Sequence, residues 1–126
     1  MVSNKNKKVK SFKDLEIWRK GIELVVDIYK TTKNFPKEEL YGLTSQLKRA
    51  AVSIPSNIAE GCGRHYTAEY KQFLYVTIGI CAEVQTQLII ASKLGYLKDC
   101  NAKNLLDRTE EISKMTMGLI KKLSEH

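Results

Sequence analysis

The chain has 126 residues, with 21 lysines and arginines against 14 aspartates and glutamates, and a formal net charge of +7. This length suits a single domain. Hydrophobic residues make up 43% of the sequence, which is enough to form a core and argues against wholesale disorder. With 7 glycines and 2 prolines, the chain is short of the turn residues of an all-β protein. The composition therefore predicts a small, basic, helical domain.

Most of the basic excess lies near the start of the sequence. Five lysines precede the first acidic residue, Asp14: Lys5, Lys7, Lys8, Lys10 and Lys13. The rest of the chain is nearly balanced, so we expect residues 1–10 to form a basic, flexible N-terminal arm. Such an arm can hold phosphate groups without reading a base sequence, or it can simply keep the protein in solution.

The cysteines and the hydropathy pattern bear on the compartment. The 3 cysteines are an odd number without paired spacing, so we expect no disulfide framework and a reducing, cytoplasmic environment. No apolar stretch follows the early lysines, so we expect no secretory leader. Residues 72–92 contain a single charge, Glu83, which is costly in hydrocarbon. A buried bundle helix is therefore the expectation for this stretch, and no membrane span is predicted.

The first helix is predicted to follow a capping box formed by Ser11 and Asp14. Apolar residues then recur every three or four positions, which places them on one helix face. This face is Phe12, Leu15, Trp18, Ile22, Val25, Val26 and Tyr29. We expect it to form the contribution of the first helix to the core. Asn34-Phe35-Pro36 is predicted to end the helix.

The second helix is predicted to run to Gly61 or Gly63, where a glycine can end it. Its apolar face is Leu40, Leu43, Leu47, Ala50, Ala51, Ile54 and Ile58. Pro55 falls inside this helix, where it removes a backbone hydrogen bond to the Ala51 carbonyl. We expect a kink or a local change of geometry at that point.

The third and fourth helices complete the architecture. The third is predicted from near Thr67 to Gly95, and the fourth from near Asp99 or Asn101 to the end of the chain. The fourth carries Leu105, Ile112, Met115, Leu119 and Leu123 on one face. Short connections require neighbouring helices to be antiparallel. The sequence thus predicts an all-α fold, an antiparallel up-down-up-down four-helix bundle over residues 11–126.

Catalytic and metal chemistry receive little support from the sequence. The best metal candidate is Cys62-x-x-His65 with Cys81 and Cys100, but the topology spreads these residues over ~40 Å, whereas zinc ligands lie ~2.0–2.3 Å from one ion. A Cys62–His65 nucleophile would need a third, orienting group, and none is evident. No glycine-rich phosphate loop is present. We therefore expect no catalytic residues, no metal, no cofactor and no small-molecule substrate, and we expect Cys81 to be a small core residue.

A polar stripe on the second helix lies ~70–150° from its core direction. The stripe consists of Gln46, Arg49, Ser53, Asn57 and Glu60. It is either an ordinary solvated face or a polar subunit interface, in which Arg49 pairs with a carboxylate and Asn57 satisfies freed backbone groups. The tyrosines favour an interface, because tyrosine is enriched at such surfaces. Those nearest the second and third helices are Tyr41, Tyr66, Tyr70 and Tyr75.

The same residues carry a family resemblance over roughly positions 11–123. The matching residues are Phe12, Leu15 and Trp18; the run from Phe35 to Ala51 with Pro36, Tyr41, Gly42, Gln46 and Arg49; and Asn57-Ile58-Ala59-Glu60-Gly61. The match continues with Tyr70, Phe73, Leu74, Glu83, Gln87, Leu88 and Gly95-Tyr96-Leu97. In these positions the chain resembles a bacterial family of four-helix bundles, whose members include proteins encoded in intervening sequences of 23S ribosomal RNA genes.

The resemblance implies a four-helix protomer that assembles into a pentameric ring. A related branch includes the accessory protein of diversity-generating retroelements, which binds nucleic acid through a basic surface. The molecular role of the intervening-sequence branch is not established. The chain departs from the family at Thr77-Ile78-Gly79-Ile80, where the family tends to have Ala-x-Gly-Ser. Gly79 keeps the capacity for close helix approach, but the serine hydroxyl is lost.

The leading hypothesis is a non-enzymatic homo-oligomeric bundle that associates with RNA, or with an RNA-bound protein, through phosphate contacts. The arm lysines are its first candidates, and Lys48, Arg64 and Lys71 are the secondary ones. The alternative is a structural or protein-interaction scaffold without direct nucleic-acid binding.

Overall fold

The computed structural model describes residues 11–125, and these form four long α-helices and two short 3-10 turns. The helices are α1 (Glu16–Thr32), α2 (Leu43–Cys62), α3 (Thr67–Lys93) and α4 (Asp99–Ser124). Within this part of the chain there is no β-strand. The predicted all-α fold is confirmed. Residues 1–10, to which the arm prediction applies, lie outside the described residues.

Contacts between side chains show that successive helices run in opposite directions. In α1 and α2, Gly21 lies against Pro55, while eight residues later Tyr29 lies beneath the Lys48 ammonium group. Lys71 Nζ at the start of α3 donates to a hydroxyl near the end of α4, at 3.1 Å. Further along α3, Gln85 donates to a carboxylate in the middle of α4, at 2.9 Å. The contacts therefore fit the up-down order that the short connections require.

The bundle closes through a thinner edge between α1 and α4. Two ion pairs bridge these helices: Lys20 with Glu111 at 3.5 Å, and Asp27 with Arg108 at 2.8 Å. From the first ion pair to the second, the residue number rises along α1 and falls along α4, so α1 and α4 are also antiparallel. The four helices thus form a ring in cross-section, with the apolar core between them.

The N-terminal capping box is present, but it caps a 3-10 turn rather than α1. Ser11 Oγ accepts from the Lys13 amide at 3.1 Å, and Asp14 Oδ2 accepts from the Ser11 amide at 3.3 Å. The turn spans Phe12–Asp14, after which Leu15 is extended and α1 begins at Glu16. The turn also places the Phe12 ring against Trp18, with centroids 5.2 Å apart.

The predicted core face of α1 is confirmed only in part: Leu15, Trp18 and Val25 pack against the core without being fully buried. The residues that α1 buries are Ile17, Gly21, Leu24, Ile28 and Thr32. Of the predicted face, Ile22, Val26 and Tyr29 are 38%, 46% and 41% exposed, and the others are half-buried. The physical reason is that α1 carries two apolar stripes. The stripe of Gly21 lies against Ile54 and Pro55 of α2 and faces inward, while the other stripe lies beside α2 at the surface.

The core face of α2 is largely as predicted. Leu47, Ala50, Ala51, Ile54 and Ile58 are buried, whereas Leu40 precedes the helix and is exposed. The helix continues through Pro55 as one α-helix. At its end, α2 lies very close to α3: a Cβ built on Gly61 would be 2.7 Å from the Phe73 Cβ. The contact between α2 and α3 therefore requires glycine at position 61, close to the end of α2.

Helix α3 is apolar on more than the side that faces the core. It buries Leu74, Thr77, Cys81, Val84, Gln87, Leu88 and Ala91. Its outer side nevertheless exposes Tyr75, Val76, Ile89 and Ile90. By length and composition, α3 is the one helix among residues 11–125 that would suffice to cross a membrane, and 33% of its most apolar window is buried. The expectation of a buried bundle helix therefore holds for one side of α3 only.

The connections fix the ends of the helices. Gly95 has a φ of 82°, a left-handed conformation that glycine adopts without a Cβ penalty, and it ends α3. The Tyr96 amide then donates back to the Ala91 carbonyl at 2.9 Å. The Tyr96 hydroxyl donates to Glu39 Oε2 at 2.9 Å, and its ring lies 5.6 Å from that of Phe35. The α1–α2 and α3–α4 connections are thereby tied together at one end of the bundle.

Candidate nucleic-acid interface

The end of the bundle that carries the α2–α3 loop is called here the loop end. Because the helices are antiparallel, it also contains the start of α1 and the end of α4. Lys13 lies in the 3-10 turn that precedes α1, is exposed, and offers its carbonyl to Arg19 Nη1 at 3.1 Å. The described chain therefore begins at this end. Lys5, Lys7, Lys8 and Lys10 lie outside the described residues, immediately before it.

Two of the three secondary candidates lie at the loop end. Arg64 follows α2, and its guanidinium group pairs with Glu60 at 2.7 Å and lies 4.8 Å from the centroid of the Phe73 ring. Lys71 is in the second turn of α3, where Ser124 Oγ accepts from its ammonium group at 3.1 Å. The Arg64 charge is partly neutralised by its neighbour, whereas the Lys71 ammonium has only a hydroxyl partner.

The third candidate lies elsewhere. Lys48 is in the second turn of α2, so it is ~21 Å along the helix axis from Cys62. Its ammonium group lies 4.7 Å from the centroid of the Tyr29 ring, which is a cation–π contact. The structure thus brings Arg64 and Lys71 together with Lys13 and separates Lys48 from them.

The loop end contains further groups that were not among the predicted candidates. Lys121 and Lys122 are exposed in the last turn of α4, close to the Ser124 hydroxyl that Lys71 contacts. In the α2–α3 loop, the rings of His65 and Tyr66 are 4.7 Å apart, and Tyr66 is 64% exposed. Exposed aromatic rings among cations can stack on bases while the cations hold phosphates. The sequence signal for Lys121 and Lys122 was a simple basic pair, and only the helix packing relates it to Lys71.

The predicted polar stripe of α2 lies at the surface. Gln46, Arg49 and Glu60 are exposed, and Ser53 and Asn57 are half-buried. Ser53 Oγ donates to the Arg49 carbonyl at 3.0 Å, and Asn57 Nδ2 donates to the Ser53 carbonyl at 2.8 Å. Asn57 therefore bonds to Ser53 and not to the Ala51 carbonyl that Pro55 frees. Within residues 11–125 the Arg49 guanidinium group has no hydrogen-bonding or ionic partner.

An apolar groove runs between α1 and α2 on the outside of the bundle. We name it the α1–α2 groove; it comprises two connected depressions of about 410 and 460 Å³ that share Val25, Val26 and Val52. Trp18 and Ile22 lie toward the loop end, and Tyr29, Lys30 and Lys33 toward the other end. The exposed stripe of α1 forms one wall. Sequence reasoning found these residues but placed most of them in the core.

Cys81, Tyr70 and Tyr96 have raised pKa values, each with a clear physical cause. Burial, and to a smaller degree the Glu110 carboxylate, raise the pKa of Cys81 to about 12. Burial and the neighbouring Cys62 raise the pKa of Tyr70. The hydrogen bond to Glu39 raises the pKa of Tyr96. Each shift favours the neutral form.

The cysteines are separate from one another in the fold. Cys62 is half-buried, Cys81 is buried as the sequence predicts, and Cys100 is exposed, and all three are free thiols. Among residues 11–125, no three histidine, cysteine, aspartate or glutamate side chains come together in a way that would hold a metal ion.

Comparisons with known proteins agree with this fold. The family model described as 23S rRNA-intervening sequence protein matches residues 13–118. Among solved structures, a protein of unknown function of the S23 ribosomal protein family from Bacteroides thetaiotaomicron has a TM-score of 0.75 and 22% sequence identity. The alignment covers 83% of this chain and 98% of that one. A search of curated protein sequences gives no match.

Proposed function

The chain belongs to the 23S rRNA-intervening sequence protein family, and on that premise we propose that it is a non-enzymatic, homo-oligomeric bundle that binds RNA through phosphate contacts at the loop end. The observation that supports the proposal is the placement of separate basic segments at the same end of the bundle. Lys13, Arg64 and Lys71 come from three parts of the chain, and Lys121 and Lys122 come from a fourth.

The basic arm supports the same location. Lys5, Lys7, Lys8 and Lys10 precede the described chain directly, and the described chain starts at the loop end. A phosphate backbone lying across this end would meet cations from the bundle and from the arm. Such contacts release condensed counterions and do not depend on base sequence. Exposed Tyr66 adds a ring on which an unpaired base can stack.

The first experiment is fluorescence anisotropy with a structured ribosomal RNA fragment over a salt series. We compare the full chain, a chain without residues 1–10, and the variant Arg64→Gln, Lys71→Gln, Lys122→Gln. The slope of log K against log salt is negative, and each phosphate contact contributes about 0.7–0.9 to its magnitude. The loss of three contacts should therefore reduce that magnitude by about 2–3. The affinity should fall at low salt for the triple variant, and binding that survives removal of the arm would be assigned to the bundle.

The control variant removes the same charge from the opposite end of the bundle. Lys37, Lys93 and Lys98 are exposed there, and Lys37→Gln, Lys93→Gln, Lys98→Gln changes the net charge equally. If both variants bind alike, the affinity follows total charge and the loop end is not the site. If neither the full chain nor the truncated chain binds, RNA binding is refuted.

The alternative is a scaffold that binds proteins and not nucleic acid. The specific observation in its favour is the amount of apolar surface outside the core, in the α1–α2 groove and on α3. The two functions predict different results in the anisotropy experiment, since a scaffold leaves the RNA free. Homo-oligomerisation is compatible with either, and the family resemblance implies a pentamer, which light scattering would measure directly.

A further inference from the structure

Helix α3 presents an apolar face that no other residue among 11–125 covers. We name this surface the α3 face; it consists of Tyr75, Val76, Gly79, Ala82, Ile89 and Ile90. Tyr75, Val76, Ile89 and Ile90 are between 42% and 53% exposed. These residues lie on one side of α3 over ~22 Å of helix, with exposed Glu83 and Thr86 between its two apolar ends. Exposed apolar residues grouped on one side of a helix mark a candidate interaction surface.

The middle of the α3 face is open to close approach. A Cβ built on Gly79 would have no atom within 4 Å, so packing inside the protomer does not require glycine there. Glycine inside a helix costs about 0.5–1 kcal/mol relative to alanine. Within residues 11–125 no other part of the chain approaches Gly79 closely, and the open position leaves room for the backbone of another molecule.

The α3 face carries one charge and it is negative. Glu83 is exposed beside Ala82, and it is the single charge of residues 72–92. Gln87 Nε2 donates to its carboxylate at 3.5 Å. Within residues 11–125 no cation lies within ion-pair distance of Glu83.

The α1–α2 groove has the opposite charge. Lys30 and Lys33 line one end of it, and Lys48 lies at its rim above the Tyr29 ring. No acidic side chain lines either of its two depressions, and these three lysines form no ion pair within the described part of the chain. From Trp18 to Lys33 the groove also extends ~22 Å along α1, which matches the length of the α3 face.

We propose that the α3 face of one copy of this chain docks into the α1–α2 groove of a second copy, with Glu83 toward the lysines of the groove. The inference rests on the homo-oligomeric part of the proposed function and names the two surfaces that join. We infer a head-to-tail contact, in which the groove and the face of one copy meet different neighbours. Each copy then offers one free groove and one free face, and assembly proceeds until a ring closes.

The test uses one charge substitution in each surface. Val26→Lys blocks the groove and Ile90→Lys blocks the α3 face; both side chains are nearly half exposed, at 46% and 44%, so the fold should tolerate them. Met117→Lys is the matched control, since Met117 is 43% exposed on α4, outside both surfaces. Light scattering after gel filtration should give monomers for Val26→Lys and Ile90→Lys and the wild-type mass for Met117→Lys. Circular dichroism checks that each variant is folded.

Mixing the two blocked variants provides the decisive measurement. The Val26→Lys chain keeps an intact α3 face and the Ile90→Lys chain keeps an intact groove, so one productive contact remains and the mixture should give a one-to-one dimer. Both substitutions add lysine, so the new charges cannot attract each other. A mixture that stays monomeric, or single variants that keep the wild-type mass, would overturn the inference and leave homo-oligomerisation itself intact.

A monomeric wild-type chain would overturn the homo-oligomeric part of the proposed function and this inference with it. Flotation with lipid vesicles would then test whether α3 meets a membrane, which requires burial of Glu83 in hydrocarbon. RNA binding is measured separately with the anisotropy experiment. Failure of the docking inference, failure of homo-oligomerisation and failure of RNA binding therefore give different results.

Discussion

The close approach of α2 and α3 at Gly61 predicts a strong and specific effect of adding one methyl group. In Gly61→Ala, the new Cβ would lie 2.7 Å from the Phe73 Cβ and 3.2–3.3 Å from atoms of Tyr70. The nearest atom is the first carbon of a side chain, so it cannot rotate away. The backbone of α3 must shift, which opens the packing along the α2–α3 contact.

The expected magnitude follows from two opposing contributions. Overpacking in a tight contact costs about 1–3 kcal/mol, and the fixed position of the Phe73 Cβ favours the upper part of that range. Alanine in place of a helical glycine recovers about 0.5–1 kcal/mol. The net loss in the free energy of unfolding should be about 2 kcal/mol. For a domain of this size, that corresponds to a decrease in Tm of roughly 6–10 °C.

The matched substitution is Gly118→Ala on α4. A Cβ at Gly118 would have no atom within 4 Å, so only the gain of about 0.5–1 kcal/mol in helix propensity remains. Urea unfolding followed by circular dichroism measures both variants, at one protein concentration because assembly would shift apparent stability. Equal stabilisation of Gly61→Ala and Gly118→Ala would refute the packing argument.

Two further predictions concern a buried thiol and the thin edge of the bundle. The pKa of Cys81 is about 12 in the folded chain and near 9 in the unfolded one. The contribution of this buried thiol to the free energy of unfolding is therefore fully present below pH 9 and is lost as the pH rises from 9 to 12. At pH 8, a thiol reagent should modify exposed Cys100 quickly and Cys81 only upon unfolding. Asp27→Asn removes the 2.8 Å ion pair with Arg108. It should lower the free energy of unfolding by about 0.5–1 kcal/mol, and less in 1 M salt. An Asp27→Asn chain with the same urea midpoint as wild type at low salt would show that this pair does not hold α1 to α4.

The sequence sufficed to predict four helices and their order because each helix has its own periodic apolar pattern and breaker residues. The predicted ends were close, as at Gly95, where the left-handed conformation requires glycine. It did not suffice for the orientation of α1. The stripes that begin at Ile17 and at Trp18 both have helical spacing, so periodicity alone cannot choose between them. The choice depends on packing between helices, such as that of Gly21 against Pro55, residues that are 34 positions apart.

The candidate RNA surface could likewise be predicted only in part from the sequence. The arm lysines and Arg64 stand out locally in the sequence, since they form a run or follow a helix end. The relation of Lys71 to Lys121 and Lys122 depends on α3 and α4 lying side by side, since Lys71 and its hydroxyl partner Ser124 are 53 positions apart. Such a relation has no local signature, and only the packing of the helices reveals it.

The part of the predicted α1 face that lies outside the core is informative about assembly. A stripe of Ile22, Val26 and Tyr29 is regular enough to be predicted as core, yet one small bundle has room for only one of the two stripes of α1. Exposing such a stripe forgoes about 25 cal/mol for each Å² of apolar surface that stays in water. The exposed apolar residues of the α3 face forgo the same kind of stabilisation on the other side of α2. A chain that leaves two apolar surfaces uncovered, one with lysines at one end and one with a glutamate near its centre, has surfaces suited to its own second copy.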